Sequence, residues 1–241
     1  MTKPLLILFT GTTIPSVKEH HGDFDSHFRA AIGDAWKGAF ETVDSRDVAI
    51  ELPSLTDVSG VIVTGSSSSV TDRLNEPWMP RLEGFLRDAV QREVPLLGVC
   101  FGHQILASAL GGEVSKNPRG RAIGSRTVTR VADDPLLEGL PPTFHVNVSH
   151  RDHVAVAPPG VTKIVTADHD DMHAFAAGRF ARAVQFHPEF SDQIVKGYIE
   201  SRREILRDEG LDPDALHRSV VDVPDARRLL RNFVTNFVVR R

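Results

Sequence analysis

The sequence predicts an α/β fold with a doubly wound, mostly parallel sheet flanked by helices, a small antiparallel β addition and C-terminal helices. Three short apolar runs, at Leu5–Phe9, residues 60–64 and Leu96–Val99, are continuous rather than alternating. Continuous apolar runs are typical of strands that helices cover on both faces, as in a parallel sheet. Helical patterns lie between these runs, and that alternation favours a doubly wound arrangement.

The first helices follow from periodicity. Residues 25–36 and 78–93 are predicted to be helical, and the second segment carries an apolar stripe of Leu82, Phe85, Leu86 and Ala89. Such a stripe indicates a helix that buries one face. Residues 14–28, which include part of the first helix, are expected to contribute a loop at the carboxyl edge of strand one. Ligands bind at that edge in α/β sheets, so this segment is expected to shape the pocket.

The pattern changes after Gly112 to short β-like segments, separated by proline turns at residues 141–142 and 158–159. These segments are residues 125–131, 144–148, 153–157, 163–167, 173–176 and 182–186. Ser191 is expected to cap a long helix reaching residue 209, and Pro224 to open a last one. With no repeat and no long linker, we predict one domain over residues 1–241, with a core at 5–190 and a C-terminal helical extension at 191–241.

Composition narrows the function classes. The chain has 241 residues, 41% of them hydrophobic, and a formal net charge of −4. This balance gives no sign of a nucleic-acid surface, and no apolar run is long enough for a membrane span or a signal peptide. One cysteine excludes an internal disulfide, which fits a reducing compartment. We therefore expect a cytoplasmic protein with no nucleic-acid or membrane partner.

That single cysteine lies where a predicted strand meets a predicted helix. Cys100 follows the apolar run Leu96–Val99 and precedes a helix predicted over residues 101–110, with Gly98 and Gly102 on either side. A helix N-terminus offers free N–H groups and a positive dipole end, which favour a thiolate. Gly-x-Cys-x-Gly is the cysteine form of the nucleophile elbow of serine hydrolases. We therefore predict a nucleophile rather than an inert buried thiol.

A cysteine nucleophile needs a base, and the base needs an orienting group. A predicted strand ends near Phe186, and His187-Pro188-Glu189 follows it. Pro188 favours an extended chain, so His187 and Glu189, two residues apart, point the same way. In this interpretation Glu189 stabilises the imidazolium that forms when the cysteine ionises.

An acyl-transfer site also needs N–H donors for the developing oxyanion. The N–H of Phe101, at the start of the predicted helix, is one natural donor. The backbone at Thr64-Gly65-Ser66, where another predicted strand ends, could supply the second. An ordinary serine-rich turn explains residues 66–69 equally well.

These residues together resemble the class I glutamine amidotransferase family, and within it the GMP-synthase-like amidotransferases. Residues 98–104 resemble the family's G-[VI]-C-x-G-[HM]-Q elbow, residues 186–189 its F-H-P-E motif and residues 149–154 its S-H-x-D-x-V segment. The resemblance covers about residues 5–190, with the motifs in the family's order.

The resemblance implies a flavodoxin-like fold and an enzyme without a cofactor. It implies a Cys-His-Glu triad of Cys100, His187 and Glu189, an oxyanion hole at Gly65, Ser66 and Phe101, and a substrate site at Gln104, Ser149 and His150. The implied reaction is attack of the thiolate on the γ-carbonyl of glutamine, which releases ammonia and forms a γ-glutamyl thioester that is then hydrolysed.

Two departures keep other functions open. The family's strand-end loop is commonly S-G-G-P, whereas this chain has Thr64-Gly65-Ser66, which looks more like stand-alone members such as plant γ-glutamyl peptidases. No synthetase domain is recognised after residue 190, so any synthetase would be a separate subunit. The alternatives are a γ-glutamyl peptidase acting on glutathione-like peptides and a non-catalytic regulatory or binding subunit.

Other polar clusters are interpreted as solvated surface. His20-His21 and the segment at residues 169–173 offer metal-ligand side chains without a tight ligand spacing, so a loop or hairpin turn is expected and no metal. Arg202, Arg203 and Arg207 are expected on the wet face of the late helix.

Overall fold

The computed structural model describes residues 2–240. Its strands, numbered along the chain, are β1 (Leu5–Phe9), β2 (Phe40–Asp44), β3 (Gly60–Val63), β4 (Leu96–Val99), β5 (Glu113–Lys116), β6 (Ala122–Arg130), β7 (Thr143–His150), β8 (Asp152–Val156), β9 (Val161–Ala167), β10 (Asp170–Ala177) and β11 (Ala181–Val184).

The α-helices are α1 (Pro15–His21), α2 (Phe24–Ile32), α3 (Trp78–Gln91), α4 (Phe101–Ala109), α5 (Asp192–Ser201), α6 (Arg203–Asp208), α7 (Pro213–Ser219) and α8 (Pro224–Phe233). Short 3₁₀ turns lie at Gly33–Ala35, Val70–Asp72 and Pro135–Leu137, and the last helix continues as a π-helix over Val234–Val239. None of these helices combines the length and the apolar character needed to cross a membrane.

One nine-stranded sheet runs through the protein in the order β2-β1-β3-β4-β11-β10-β9-β6-β7. The strands from β2 to β11 in this order pair in parallel, and the remaining pairs are antiparallel. β5 and β8 form a separate two-stranded antiparallel sheet. The predicted fold class is confirmed; β10, β9, β6 and β7 extend the main sheet with antiparallel pairs, and β5 and β8 are the small separate antiparallel sheet.

Helices cover both faces of the parallel strands. In β1, Leu5 and Ile7 pack into one hydrophobic cluster with side chains of α2, α5 and α8, whereas Leu6 and Leu8 pack into a second cluster with side chains of α3 and α4. This is why the strand is apolar at every position: successive side chains point to opposite faces, and each face is buried.

Two predicted elements were wrong in extent. The loop expected over residues 14–28 is mostly helical, since α1 and the first turn of α2 fill it. α1 buries only Val17, so its sequence carries no periodic apolar signal. The single helix expected from residue 191 to 209 begins as predicted, with the Ser191 hydroxyl accepting from the Ile194 N–H, but it breaks at Arg202 into α5 and α6.

Candidate active site

The residue between β4 and α4 has a strained backbone. Cys100 has φ 54° and ψ −100°, and Glu93 is the other described non-glycine residue with positive φ. A non-glycine residue in this region carries a steric cost that surrounding contacts must hold in place. Here the Cys100 N–H donates to the Val184 carbonyl of β11 over 2.9 Å, which fixes the turn. The thiol therefore sits at a rigid strand-to-helix corner and is buried.

The two glycines that frame this corner are required by close packing. A Cβ on Gly98 would lie 2.4 Å from the Gly102 carbonyl oxygen, and one on Gly102 would lie 2.5 Å from the Val63 carbonyl oxygen. Both approaches involve backbone atoms that cannot move aside. The Gly-x-Cys-x-Gly pattern thus lets α4 start directly against β3 and β4.

The imidazole of His187 is held by one hydrogen bond and two aromatic rings. Its Nδ1 lies 2.7 Å from Glu189 Oε1, and both side chains are buried. The Phe190 ring stacks on it with centroids 4.0 Å apart, and the Phe24 ring lies parallel at 6.2 Å. The His187 N–H donates to the Asn147 carbonyl over 2.8 Å, which ties this turn to β7. The ring has little freedom to rotate.

Charged neighbours raise the pKa of this imidazole. Burial alone disfavours the charged ring, but the nearby Glu189 carboxylate and Cys100 outweigh it and raise the pKa of His187 to about 10. At neutral pH the ring is therefore an imidazolium. Since Nδ1 is engaged by Glu189, Nε2 is the nitrogen left to face the thiol.

A glycine packs directly against this ring. A Cβ on Gly65 would lie 2.8 Å from His187 Cε1 and 3.4 Å from Phe24 Cζ, so no side chain fits there. The Gly65 carbonyl accepts hydrogen bonds from the hydroxyls of Thr10 (3.1 Å) and Thr64 (3.2 Å). In a trans peptide the N–H points away from the C=O, so the threonines also fix the direction of the Ser66 N–H.

Two backbone N–H groups near the thiol have no acceptor of their own. The Ser66 N–H makes no hydrogen bond within residues 2–240. Phe101 is the first residue of α4, and the first N–H groups of a helix lack an intrahelical acceptor. The Phe101 N–H directly follows Cys100, and the Ser66 N–H directly follows Gly65, which packs against the His187 ring. A developing negative charge on a substrate oxygen would find fixed donors here.

Two of the remaining predicted substrate residues, Gln104 and His150, meet at the Asp152 carbonyl. The Gln104 amide donates to the Asp152 carbonyl over 2.9 Å and to Gln185 Oε1 over 3.0 Å, which leaves its own Oε1 as a free acceptor. Ser149 is half-buried at the end of β7, beside the buried His150. The structure therefore collects all nine predicted site residues at the carboxyl edge of the parallel strands and the adjoining end of β7.

Sequence reasoning missed an aromatic and cationic group next to this site. Burial raises the pKa of Tyr198 to about 12, and its hydroxyl lies 2.7 Å from Thr13 Oγ1. The Arg202 guanidinium stacks on the Tyr198 ring at 4.7 Å and interacts electrostatically with Cys100. Its Nη1 is buried with no partner among residues 2–240. The expectation of a wet face was wrong for Arg202, because the helix breaks there and turns the side chain inward.

A basic cavity of about 390 Å³ adjoins the end of β7. It is lined by Lys116, Asn117, Arg119, Gly120, Arg121, Arg151, Glu209 and Leu211. Arg121 pairs with Glu209, whereas Arg151 directly follows His150 in the chain. These cationic side chains form a local positive region, which attracts anionic groups although the net charge of the whole chain is −4.

One buried group in the described part of the chain offers metal ligands: His150, Asp170 and His173. The solvated loop or turn expected at residues 169–173 was wrong for Asp170 and His173, which are buried. His20 and His21 are exposed, as expected, but they end helix α1 rather than lying in a loop.

Comparisons with known proteins agree with the motifs. The family model "Glutamine amidotransferase class-I" matches residues 37–201. A glutamine amidotransferase-like protein of Schizosaccharomyces pombe is 29% identical over 149 residues, which cover 61% of this chain and 59% of that protein. A glutamine-hydrolysing GMP synthase of Leifsonia xyli is 39% identical over 155 residues, 61% of this chain but 28% of the synthase. The match thus spans less than two thirds of each of these curated relatives.

Solved structures share the fold. A glutamine amidotransferase of Thermotoga maritima has a TM-score of 0.76 and 22% identity, and the match covers 99% of both chains. A glutamine amidotransferase of Methylobacillus flagellatus has a TM-score of 0.74 and 23% identity, with 99% of this chain and 95% of that chain covered.

Proposed function

The chain belongs to the class-I glutamine amidotransferase family, and we therefore propose that it is a thiol hydrolase that cleaves a γ-glutamyl amide, with glutamine as the first candidate substrate. The observation that carries this proposal is the buried grouping of Cys100, His187 and Glu189, in which Glu189 is hydrogen-bonded to the ring and both Glu189 and Cys100 raise the pKa of His187. A thiol, an imidazole and a carboxylate in this order form a nucleophile, a base and the group that orients the base.

The first half of the reaction forms a thioester. The Cys100 thiolate attacks the γ-carbonyl carbon, a carbon–sulfur bond forms, and the carbonyl electron pair moves onto oxygen. When the tetrahedral intermediate collapses, the carbon–nitrogen bond breaks and the His187 imidazolium gives its Nε2 proton to the leaving nitrogen. Ammonia leaves, and the γ-glutamyl group remains on sulfur. The Glu189 carboxylate keeps the ring protonated and oriented up to that step.

The second half returns the enzyme to its starting state. The neutral His187 ring removes a proton from water as the water oxygen attacks the thioester carbonyl. The carbon–sulfur bond then breaks, glutamate is released, and Cys100 leaves as a thiolate beside a reprotonated imidazolium. No redox step or cofactor is needed for this balance of atoms and charges.

The Ser66 and Phe101 N–H groups are proposed to stabilise the oxyanion in both halves. Support comes from their lack of other acceptors and from the threonine hydroxyls that hold the Gly65 carbonyl in one direction. Donors that are fixed before the reaction cost no reorganisation when charge develops. The serine after Gly65 is compatible with this role, because the donor is its backbone N–H rather than its side chain.

Substrate recognition is proposed to use the groups that remain free around Gln104. Its Oε1 is available for the α-ammonium group of a γ-glutamyl substrate, because its amide protons are already engaged. Backbone groups at Ser149 and His150 adjoin it and complete the proposed site. The unpaired Arg202 Nη1 is a further candidate donor for a substrate carboxylate.

A γ-glutamyl peptidase is the second candidate function. The Thr64-Gly65-Ser66 loop supports it, because it departs from the family's common S-G-G-P and looks more like the loop of plant γ-glutamyl peptidases. A glutamine-specific enzyme would need only space for ammonia beyond the γ-carbonyl, whereas a peptidase would need a groove for a peptide. If glutamine is the substrate, a separate synthetase subunit is proposed to take up the ammonia, as the resemblance to glutamine-hydrolysing GMP synthases suggests.

Two assays on one preparation separate these possibilities. Ammonia release from glutamine and cysteinylglycine release from glutathione would be measured, with Cys100→Ala as the blank for both. Ammonia release that is lost in Cys100→Ala supports glutamine as the substrate. Dipeptide release with a kcat/KM for glutathione above that for glutamine supports the peptidase. Turnover of neither substrate, together with no labelling of Cys100 by a γ-glutamyl chloroketone, would leave the non-catalytic subunit as the interpretation.

A further inference from the structure

Three potential metal ligands converge next to the end of β7, and the proposed hydrolysis uses none of their side chains. His150 is the last residue of β7, and Asp170 and His173 lie in β10. One ligand atom from each lies within 4.8 Å of the others. His173 Nδ1 lies 3.8 Å from Asp170 Oδ2.

An irregularity in the sheet brings the two β10 residues together. Asp170 pairs with Ala167 of β9 and the next pair is Ala174 with Val165, so β10 has two more residues than β9 between these points. A bulge of this kind redirects side chains. It lets Asp170 and His173, three residues apart, both face the interior, where a regular strand would place them on opposite faces.

The cluster holds polar atoms that the protein itself does not satisfy. His150, Asp170 and His173 are 5%, 0% and 1% exposed. Within residues 2–240, His150 Nε2, Asp170 Oδ2 and both ring nitrogens of His173 have no hydrogen-bond partner. Buried polar atoms are nearly always paired, so several orphans at one place call for a ligand that is shared between them.

The environment of His150 already has the form that a metal ligand needs. Its Nδ1 lies 3.0 Å from the Asp152 carbonyl oxygen, which only an N–H can satisfy. The proton is thereby placed on Nδ1, and Nε2 carries a free lone pair. Metal-binding histidines commonly donate their second nitrogen to a backbone carbonyl in this way.

We propose that His150, Asp170 and His173 form a binding site for a divalent transition metal ion, with Zn²⁺ as the best match. Two imidazoles and one carboxylate are a common ligand set for this ion. Ligands at about 2.0–2.2 Å from Zn²⁺ lie about 3.3 Å from one another in a tetrahedron, so the 3.8 Å contact needs only a small side-chain movement. Neutral imidazoles and one carboxylate would leave a single net positive charge.

The ion would join β7 to β10 immediately after the proposed substrate residue Ser149. Its role would therefore be structural, since neither Cys100 nor His187 belongs to the ligand set. His153 Nδ1, 4.0 Å from Asp170 Oδ1, stands next to the cluster as a candidate fourth ligand. The site does not depend on the proposed hydrolysis, so its test requires no turnover.

The test is a metal titration of the full chain carrying Cys100→Ser, which removes the thiol as a competing ligand. Metal-free protein would be titrated with Zn²⁺ by calorimetry, and its melting temperature measured with and without Zn²⁺. One equivalent is expected to bind and to raise the melting temperature, because binding to the folded state stabilises it. Absence of stoichiometric binding would overturn the proposal.

Variants locate the ion. Asp170→Asn and His173→Gln are expected to weaken Zn²⁺ binding by about a hundredfold or more, since even outer-shell changes cost about 10- to 100-fold. His145→Gln, an exposed histidine on the same strand as His150, is the matched control and is expected to bind normally. Unchanged affinity in both cluster variants would contradict the site.

Cobalt gives an answer that needs no substitution of the three proposed ligands. Co²⁺ bound to the Cys100→Ser chain is expected to show the intense visible bands of four-coordinate nitrogen and oxygen ligation. A weak six-coordinate spectrum would mean surface binding and would overturn the proposal.

Discussion

Replacing Glu189 by glutamine tests the electrostatic core of the proposed mechanism. The substitution keeps the size of the side chain and can keep a hydrogen bond to His187 Nδ1, but it removes the negative charge 2.7 Å from the ring. The fold should remain intact because the new amide is neutral in a buried position. Turnover should fall, because the imidazolium needed in the thioester-forming step loses its stabilising charge.

The size of the effect follows from the bond that is lost. A hydrogen bond to a charged group contributes about 1.5–3 kcal/mol, compared with about 1 kcal/mol for a neutral one. If the difference of about 0.5–2 kcal/mol acts on the barrier, kcat/KM for the γ-glutamyl substrate falls about 2- to 30-fold at 1.36 kcal/mol per factor of ten. The same contact is buried in the wild type, so solvent screening does not reduce the estimate.

The pH profile gives an independent readout. The carboxylate helps raise the pKa of His187 to about 10, so the proton donor persists well above neutral pH in the wild type. Activity that requires the imidazolium is lost as the pH rises through that pKa. Without the carboxylate the pKa of His187 is lower, and the alkaline limb of the kcat/KM profile should move to lower pH.

The assay is initial-rate ammonia or dipeptide release across pH, with far-UV circular dichroism to verify folding. Glu51→Gln, at an exposed position outside the helices and strands, is the matched control and should behave as wild type. A Glu189→Gln enzyme with wild-type kcat/KM and an unmoved alkaline limb would show that Glu189 does not act on the imidazole.

Two further substitutions test geometry and stability. Gly65→Ala should sharply reduce kcat in the same rate assay without unfolding the protein. The added Cβ would lie 2.8 Å from His187 Cε1 and would push the ring from its position. A wild-type kcat in this variant would show that the ring has room to adjust. Asp134→Asn should lower the free energy of unfolding, measured by urea denaturation, by about 3 kcal/mol, because it leaves the buried Arg182 charge unpaired. The adjacent Asp133→Asn is the matched control and should change this free energy by less than about 0.5 kcal/mol. The contrast rests on exposure, with the Asp134 side chain 6% exposed and the Asp133 side chain 92% exposed, so equal effects would contradict it.

The parallel half of the fold was predictable because its strands are apolar on both faces. The run at Leu5–Phe9 can be recognised without knowledge of its partners, since all of its residues are apolar and four of the five are buried. The edge strand Phe40–Asp44 was missed, because its residues are partly exposed and mix polar with apolar side chains. Helix α7 was missed for a related reason: of its seven residues only Pro213 is buried.

The central residues of the candidate site were predictable because each lies in a short motif with local geometric meaning. Cys100 is framed by glycines that allow a tight corner, and His187 and Glu189 are two residues apart. Arg202 and His173 could not be assigned in this way. Their burial depends on a helix break and on a β-bulge, and neither is visible in residue spacing.

The most direct test is whether Cys100 itself accepts the γ-glutamyl group. The full chain would be treated with a γ-glutamyl chloroketone, digested and analysed by peptide mass spectrometry, with and without excess glutamine. We expect one label on Cys100, slowed by glutamine and lost in a His187→Ala variant, because the thiolate depends on the imidazolium. No label on Cys100, or labelling at the same rate in His187→Ala and unaffected by glutamine, would contradict a γ-glutamyl thioester mechanism.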